Sequence, residues 1–279
     1  MLGFLLTLAV AVLILLPMVR YACFLASNAR AGELEGIRRD LGGLVRPLLS
    51  ALGLSLLAEA AAVLSYPLGW FMGRKRESST LPVVLVHGLY HNGSAWLLFA
   101  RRLRRAGFTD LHTYQYNSFT GEFDQAVDGL RRELDRLLGA RPGARVMLVG
   151  HSLGGLVCRA AAGDPQYSER VAALVTLGSP HAGSELARLG GNAMARGLIP
   201  GRAIPAAVAQ APDPECPKLS LYTLVDDFVF PLSCLRTGRP GWDERAVSPM
   251  SHVSMLYSRE VASLAAGFLA GARDGSGEG

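Results

Sequence analysis

From Leu2 to Val19 the chain runs 18 residues without a charged side chain. As a helix at 1.5 Å per residue this is about 27 Å, close to the hydrocarbon thickness of a bilayer. A secretory signal peptide carries a basic residue ahead of its apolar run. Here the first basic residue, Arg20, follows the run, so the pattern predicts an uncleaved anchor, with the small-residue stretch Ala29-Arg30-Ala31 keeping cleavage open. A second apolar stretch, from about Leu48 to Met72, is interrupted by Glu59 and Pro67. As a membrane span it would carry a mid-segment carboxylate at roughly 2.5–3.5 kcal/mol; as an interfacial helix it would set Trp70 at headgroup level. Both readings stand. Arg20, Arg30, Arg38, Arg39 and Arg46 precede or punctuate the second stretch and Arg74-Lys75-Arg76 follows it. Two spans cannot put both clusters in the cytoplasm, which leaves the side of the membrane open.

After Arg76 the pattern changes. Leu81-Pro82-Val83-Val84-Leu85-Val86 is a short apolar run ending at His87-Gly88, as in a parallel strand buried on both faces. A helix opens at Ser94, with Trp96, Leu97, Phe99, Ala100 and Leu103 at helical spacing, and closes at Gly107. Leu111 to Tyr116 reads as a strand. Phe123, Ala126, Val127, Leu130, Leu134, Leu137 and Leu138 form a helical stripe ended by Gly139. Ala144 to Val149 is strand-like, Ser152 to about Ala162 helical, Val171 to Leu177 a strand, and Leu219 to Val225 the last clear strand. Strands alternating with helices through connections too long for hairpins predict an α/β fold, a mostly parallel sheet covered by helices on both faces. Sites in such sheets lie beyond the carboxyl ends of the strands. The predicted domains are an N-terminal membrane-anchor region over 1–76 and a catalytic domain over 77–272. A Gly-, Ala- and Pro-rich insertion around 182–217 has the texture of a lid, and the tail from Gly271 to Gly279 that of a disordered segment.

Composition changes this picture little. Half the residues are hydrophobic and the net charge is +5. The run Arg101, Arg102, Arg104, Arg105 lies on an amphipathic helix without the aromatic interleaving of a nucleic-acid site, so it reads as a solvated face and no nucleic-acid partner is expected. Cys23, Cys158, Cys216 and Cys234 form no metal-ligand pattern. An oxidising compartment would leave a Cys216–Cys234 pairing open.

Gly150-His151-Ser152-Leu153-Gly154 has the G-x-S-x-G spacing of a nucleophile elbow, with an apolar strand before it and a small-residue helix after it. A serine there needs donors for a developing oxyanion. The amide of Leu153 follows the serine directly, and the amide of Leu89 lies in the loop after the earlier strand, where His87 reads as a brace. The serine also needs a base oriented by an acid, in the chain order Ser, acid, His. Only His181 and His252 follow Ser152. No acid-bearing strand end separates His181 from the serine, so His252 is the candidate base. The acid is then sought at the Asp226-Asp227 pair, with Asp243 as a fallback in a turn-like stretch; Asp164 reads as a turn cap.

His87-Gly88, Gly-His-Ser-Leu-Gly-Gly, Gly-Ser-Pro-His-x-Gly, Asp-x-Val-x-Pro and Ser-His-Val together resemble an α/β-hydrolase of the bacterial lipase and esterase group, its membrane-attached members above all. The resemblance covers about Leu81 to Ala270 and implies an α/β-hydrolase fold. It maps the acid of Asp-x-apolar-apolar-Pro onto Asp227. Successive extended residues face opposite ways, so only one of the two aspartates is expected to reach His252, and Asp227 is the assignment, with Asp226 left to the loop. The implied activity is hydrolysis of a carboxylic ester of lipid or other apolar acyl type by Ser152, Asp227 and His252, at a bacterial inner membrane, with no cofactor or metal. An acyltransferase or thioesterase using the same residues is the alternative, and a non-catalytic membrane scaffold a more distant one.

Overall fold

The structure, a computed structural model, describes residues 2–71, 81–139 and 143–274. Three helices come first: α1 (Leu2–Arg30), α2 (Leu34–Asp40) and α3 (Val45–Ser65). There follow β1 (Val83–Val86), α4 (Leu97–Arg105), β2 (Leu111–Tyr114), α5 (Phe123–Gly139), β3 (Val146–His151), α6 (Leu153–Ala162), α7 (Pro165–Ser168) and β4 (Val171–Leu177). The chain closes with α8 (Ala193–Gly197), α9 (Ala203–Gln210), β5 (Lys218–Thr223), β6 (Trp242–Val247) and α10 (Arg259–Asp274). The six strands pair in parallel in the order β2-β1-β3-β4-β5-β6.

The twofold alternation of the strands sorts their apolar side chains into two cores. Val83, Leu85, Met147, Val149 and Val175 pack on one face with Trp96, Phe99, Leu103, Val261 and Leu269 of α4, α10 and the turn before α4. Val84, Val86, Val146, Leu148 and Leu174 pack on the other with Leu130 and Leu134 of α5 and Leu156 and Val157 of α6. These runs are apolar throughout because helices cover both faces.

The N-terminal helices are not a separate body. Tyr21 and Phe24 of α1, Ile37 of α2 and Ala51 of α3 share a third core with Val225, Val229, Phe230 and Leu232, from the loop after β5. Polar contacts reinforce it: Asn28 Oδ1 accepts from the Leu232 amide at 2.8 Å and Glu33 Oε2 from the Ser233 amide at 2.9 Å. The stretch Val45–Gly69 is long and apolar enough to cross a membrane, with 17% of an 18-residue apolar window in it buried. Its outward face exposes Val45, Leu49, Leu57, Val63 and Leu64. The side chain of Trp70 and the Arg74-Lys75-Arg76 cluster lie outside the described residues.

Three expectations need correction. Asp243 lies inside strand β6, not in a turn; the strand is half-exposed and polar at the edge of the sheet, so it carries no apolar run to betray it. Residues 271–274 continue α10, where Ala265, Ala266 and Leu269 anchor the helix in the core; the rest of the tail lies outside the described residues. The helix expected from Ser94 begins as a 3-10 turn over Gly93–Trp96, because Asn92 Oδ1 accepts from the Ser94 amide before α4 starts. All four cysteines are free.

Candidate active site

Strand β3 delivers the chain into Ser152, which has φ 55° and ψ −127°, a conformation that a residue with a Cβ rarely adopts. Such backbone strain costs on the order of 1–3 kcal/mol and persists where surrounding contacts fix it. Here the Ser152 amide donates to the carbonyl of Leu177 at 2.8 Å, tying the turn to β4. The flanking glycines are required by space. A Cβ at Gly150 would lie 2.5 Å from backbone atoms of Gly154 and Gly155, and one at Gly154 would lie 2.2 Å from the Val86 carbonyl oxygen. The tight turn thus lets α6 press against β1 with the serine at its apex.

The loop after β1 meets the serine from the other side. A Cβ at Gly88 would stand 2.9 Å from that of Ser152, so the chain passes there only as glycine. His87 is buried; its Nδ1–H donates to the Gly88 carbonyl at 2.9 Å, its Nε2 accepts from the Tyr116 amide, and its ring stacks on Tyr116. Burial lowers its pKa to about 4, so it is a neutral brace. The amides of Leu89 and Leu153 have no hydrogen-bond partner among the described residues.

His252 sits at the start of a 3-10 turn (Val253–Tyr257) ahead of α10, 3% exposed. Its Nδ1–H donates to Asp226 Oδ2 at 2.8 Å. This corrects the expectation for the acid: Asp226, not Asp227, meets the ring. The physical reason lies in the loop after β5. The strand ends at Thr223 and the chain turns, with Asp226 Oδ1 accepting the amides of Phe228 and Val229 at 2.9 and 2.8 Å. That turn points the second oxygen of Asp226 at the imidazole. Asp227 faces the other way and is equally buried. Its Oδ1 accepts the backbone N–H of His252 at 3.0 Å, while Oδ2 accepts from Arg20 and from Ser55 Oγ. Asp227 therefore holds the His252 backbone, and Asp226 its ring.

The other candidates lie elsewhere. His181 is buried against Thr176, Ser220 and Arg159, and burial lowers its pKa to about 3. Asp164 caps α7 by accepting the Gln166 amide, and Asp243 pairs with Arg245 on the surface. His151, which drew no role from the sequence, donates through Nε2 to the His252 carbonyl at 3.2 Å, its ring 4.6 Å from that of His252. Burial holds His151 well below the ordinary histidine range, so it stays neutral beside the second ring.

Ser152, His252, Gly88 and Leu89 line one cavity of about 1160 Å³. The insertion supplies a wall through Leu186, Ala187, Leu189 and Leu198, α3 contributes Val63 and Leu64, and Phe228 and Val253 complete a mostly apolar lining. Sequence reasoning missed the N-terminal share of this site. Arg20 closes the first apolar stretch and Ser55 and Glu59 lie inside the second; the charges of Arg20 and Glu59 are the one signal in the sequence, and it does not pair them. A hydroxyl at a strained turn, an imidazole fixed by a carboxylate and two free amides are the groups that acyl transfer uses.

Comparison with known proteins agrees with this architecture. The chain is 32% identical over 154 residues to a triacylglycerol lipase of Burkholderia plantarii, a match covering 51% of this chain and 39% of that one. It thus spans about two fifths of the length of that relative. Among solved structures, a lipase of Bacillus licheniformis superposes with a TM-score of 0.58 at 18% identity, covering 71% of this chain and 94% of the other. A monoacylglycerol lipase of Paleococcus ferrophilus gives 0.53 at 17% identity, covering 72% and 100%. The family model described as the alpha/beta hydrolase fold matches residues 82–259, well over half of the sequence, and the chain belongs to that family.

Proposed function

We propose that the chain is a serine hydrolase of carboxylic esters with apolar acyl groups. The observation that carries this reading is the 2.8 Å contact between His252 Nδ1 and Asp226, in a loop that shares its cavity with the strained Ser152. With Nδ1–H committed to Asp226, the Nε2 lone pair is free to take the Ser152 proton. The serine oxygen attacks the ester carbonyl, and the amides of Leu89 and Leu153 hold the oxyanion, each commonly worth about 3–4 kcal/mol. The imidazolium then protonates the leaving alcohol. A water, deprotonated by His252, releases the acyl group from Ser152.

The apolar lining and the cavity volume of about 1160 Å³ favour a long acyl chain over a small ester. The exposed face of α3 favours contact with lipid. Ser55, at the middle of α3, reaches Asp227 of the loop after β5, and Glu59 pairs with Arg20 of α1, so this helix lies along the domain with its apolar side outward, as an interfacial helix does. The apolar run ahead of Arg20 in α1 is then the membrane anchor. The name of the triacylglycerol lipase relative supports a lipid ester as the substrate.

Incubation of the purified full-length protein with a fluorophosphonate probe, followed by peptide mapping, tests the reading. The expected result is a single adduct on Ser152, lost in Ser152→Ala, with release of fatty acid from an acylglycerol by the unlabelled enzyme. Absence of the adduct in folded protein would overturn it.

A further inference from the structure

The geometry points to the N-terminal hairpin, α1 packed on α3, as a working part of the catalytic site, with Arg20 as the positioning residue that holds the His252 loop. This rests on the hydrolase reading given above. Arg20 comes from α1, in a segment whose sequence reads as an anchor, yet its side chain is buried at 4% exposure beneath the catalytic loop. Its guanidinium donates through Nε and Nη2 to Asp227 Oδ2, at 3.1 and 2.9 Å. Nη2 also donates to Ser55 Oγ at 3.0 Å and pairs with Glu59, both on α3. Ser55 Oγ stands 2.9 Å from Asp227 Oδ2. Two helices and the loop after β5 thus meet on one carboxylate.

From there two routes lead to the base. Asp227 Oδ1 accepts the backbone N–H of His252. Arg20 also lies over the ring of Phe228, 4.3 Å from its centroid, and that ring stacks on His252 at 5.1 Å between centroids. A guanidinium forms such planar, several-pronged contacts where an ammonium cannot. Without Arg20, Asp227 is a buried carboxylate with only Ser55 and one amide to hold it. An uncompensated charge in that position is strongly unfavourable. It relaxes toward water and draws the His252 backbone with it, which displaces Nε2 from the serine. Glu59 suffers less, because it lines the cavity and keeps partial access to solvent.

The experiment compares full-length wild type, Arg20→Met, Arg20→Lys and the double variant Arg20→Met/Asp227→Asn. In the double variant no buried charge is left unpaired at Asp227, the asparagine oxygen still accepts the His252 amide, and its NH2 donates to Ser55 Oγ. The readouts are kcat and KM on a soluble ester, the rate of fluorophosphonate labelling, and hydrogen exchange over residues 250–256. Arg20→Met is expected to lower kcat and the labelling rate about 30-fold with KM changed less than threefold, and to raise exchange in that segment. Arg20→Lys should lose about tenfold, and the double variant should recover to within fivefold of wild type in all three readouts. A residue that merely glued the hairpin to the domain would show no such recovery. Wild-type kcat and exchange in Arg20→Met, a loss confined to KM, or a folded double variant without recovery would each overturn the proposal. If Arg20→Met does not fold, the Lys and double variants decide it by the same criteria. Should Ser152 of the wild type fail to label, the hydrolase reading falls, while the exchange data still decide whether Arg20 holds the His252 segment.

Discussion

Replacing Asp226 with asparagine should abolish turnover while sparing the fold, and the structure says why. Asp226 Oδ1 accepts two backbone amides, from Phe228 and Val229. In the variant the amide oxygen must stay at that position, since turning the NH2 toward two N–H donors would leave groups unsatisfied at about 1–3 kcal/mol each. The NH2 is therefore forced to face His252 Nδ1, where Oδ2 stood. Nδ1 can then only accept, so the ring proton moves to Nε2 and the imidazole can no longer take a proton from Ser152. A wrong tautomer of this kind costs about 10⁴ in kcat, or about 5.4 kcal/mol at 1.36 kcal/mol per decade. Every hydrogen bond keeps a partner, so unfolding stability should change by less than about 1.5 kcal/mol. Asp227→Asn should behave in the opposite way. It sets an NH2 against Arg20, and loss of a buried partner costs about 3–5 kcal/mol, here toward the low end because Glu59 still pairs with Arg20. Its oxygen still accepts the His252 amide, so kcat should fall only about tenfold. Stopped assays on p-nitrophenyl butyrate at saturation, alongside urea unfolding of each variant, separate the two patterns. If Asp226→Asn keeps turnover within tenfold of wild type while Asp227→Asn loses a thousandfold, the assignment of the acid is wrong.

Acid should destabilise the protein through its buried histidines. The folded pKa of His181 is about 3 and that of His87 about 4, both depressed by burial from an ordinary 6.5. Their contribution is fully present above pH 6.5 and is lost as pH falls toward 4 and below, because the unfolded chain takes up the protons first, at about 1.4 kcal/mol per site and pH unit. The urea midpoint should drop between pH 7.5 and 5.0, and drop less in His181→Asn; equal drops would refute the linkage. The double variant Leu49→Asp/Leu57→Asp alters two exposed positions of α3 outside the cavity lining. It should lower turnover of an emulsified long-chain ester about tenfold and leave a short soluble ester unaffected, whereas parallel losses on both would argue against lipid contact by this face.

The sheet was legible wherever both its faces are covered. Strand β4 falls on Val171–Leu177 as expected, since Arg170 and Gly178 bound a run that is apolar except for Thr176. Strand β6 was not, because an edge strand needs neither a run nor an alternation when its neighbour β5 supplies the pairing. In the site, Ser152 and His252 could be placed from local pattern and chain order. Choosing between Asp226 and Asp227 could not be done that way: both reach His252, one at its ring and one at its backbone, and the difference rests on how a loop turns after Thr223. The alternation of adjacent side chains predicted that only one of them would reach His252, and it failed because the strand ends at Thr223 and the two aspartates lie in a turn rather than in extended chain. Arg20 and Glu59 were read one at a time, as a topology signal and an insertion penalty. Only tertiary contact shows that each answers the other across 39 positions.

The docking of the N-terminal hairpin also sets a schedule for the chain as it is made. Arg20 meets Asp227 across 207 positions, Asn28 meets Leu232 across 204, and Ser55 meets Asp227 across 172. At about 5–20 residues per second, the hairpin waits roughly 10–40 s for the carboxylate that satisfies its guanidinium. Through that interval an apolar pair of helices carries polar groups without their final partners. Under the proposed anchor, a lipid surface is where such a hairpin would wait without aggregating, and membrane contact during synthesis would come before the domain bearing Ser152 closes. The first segment to emerge is thus among the last to reach its final contacts, and the loop bearing His252 is fixed in place only then.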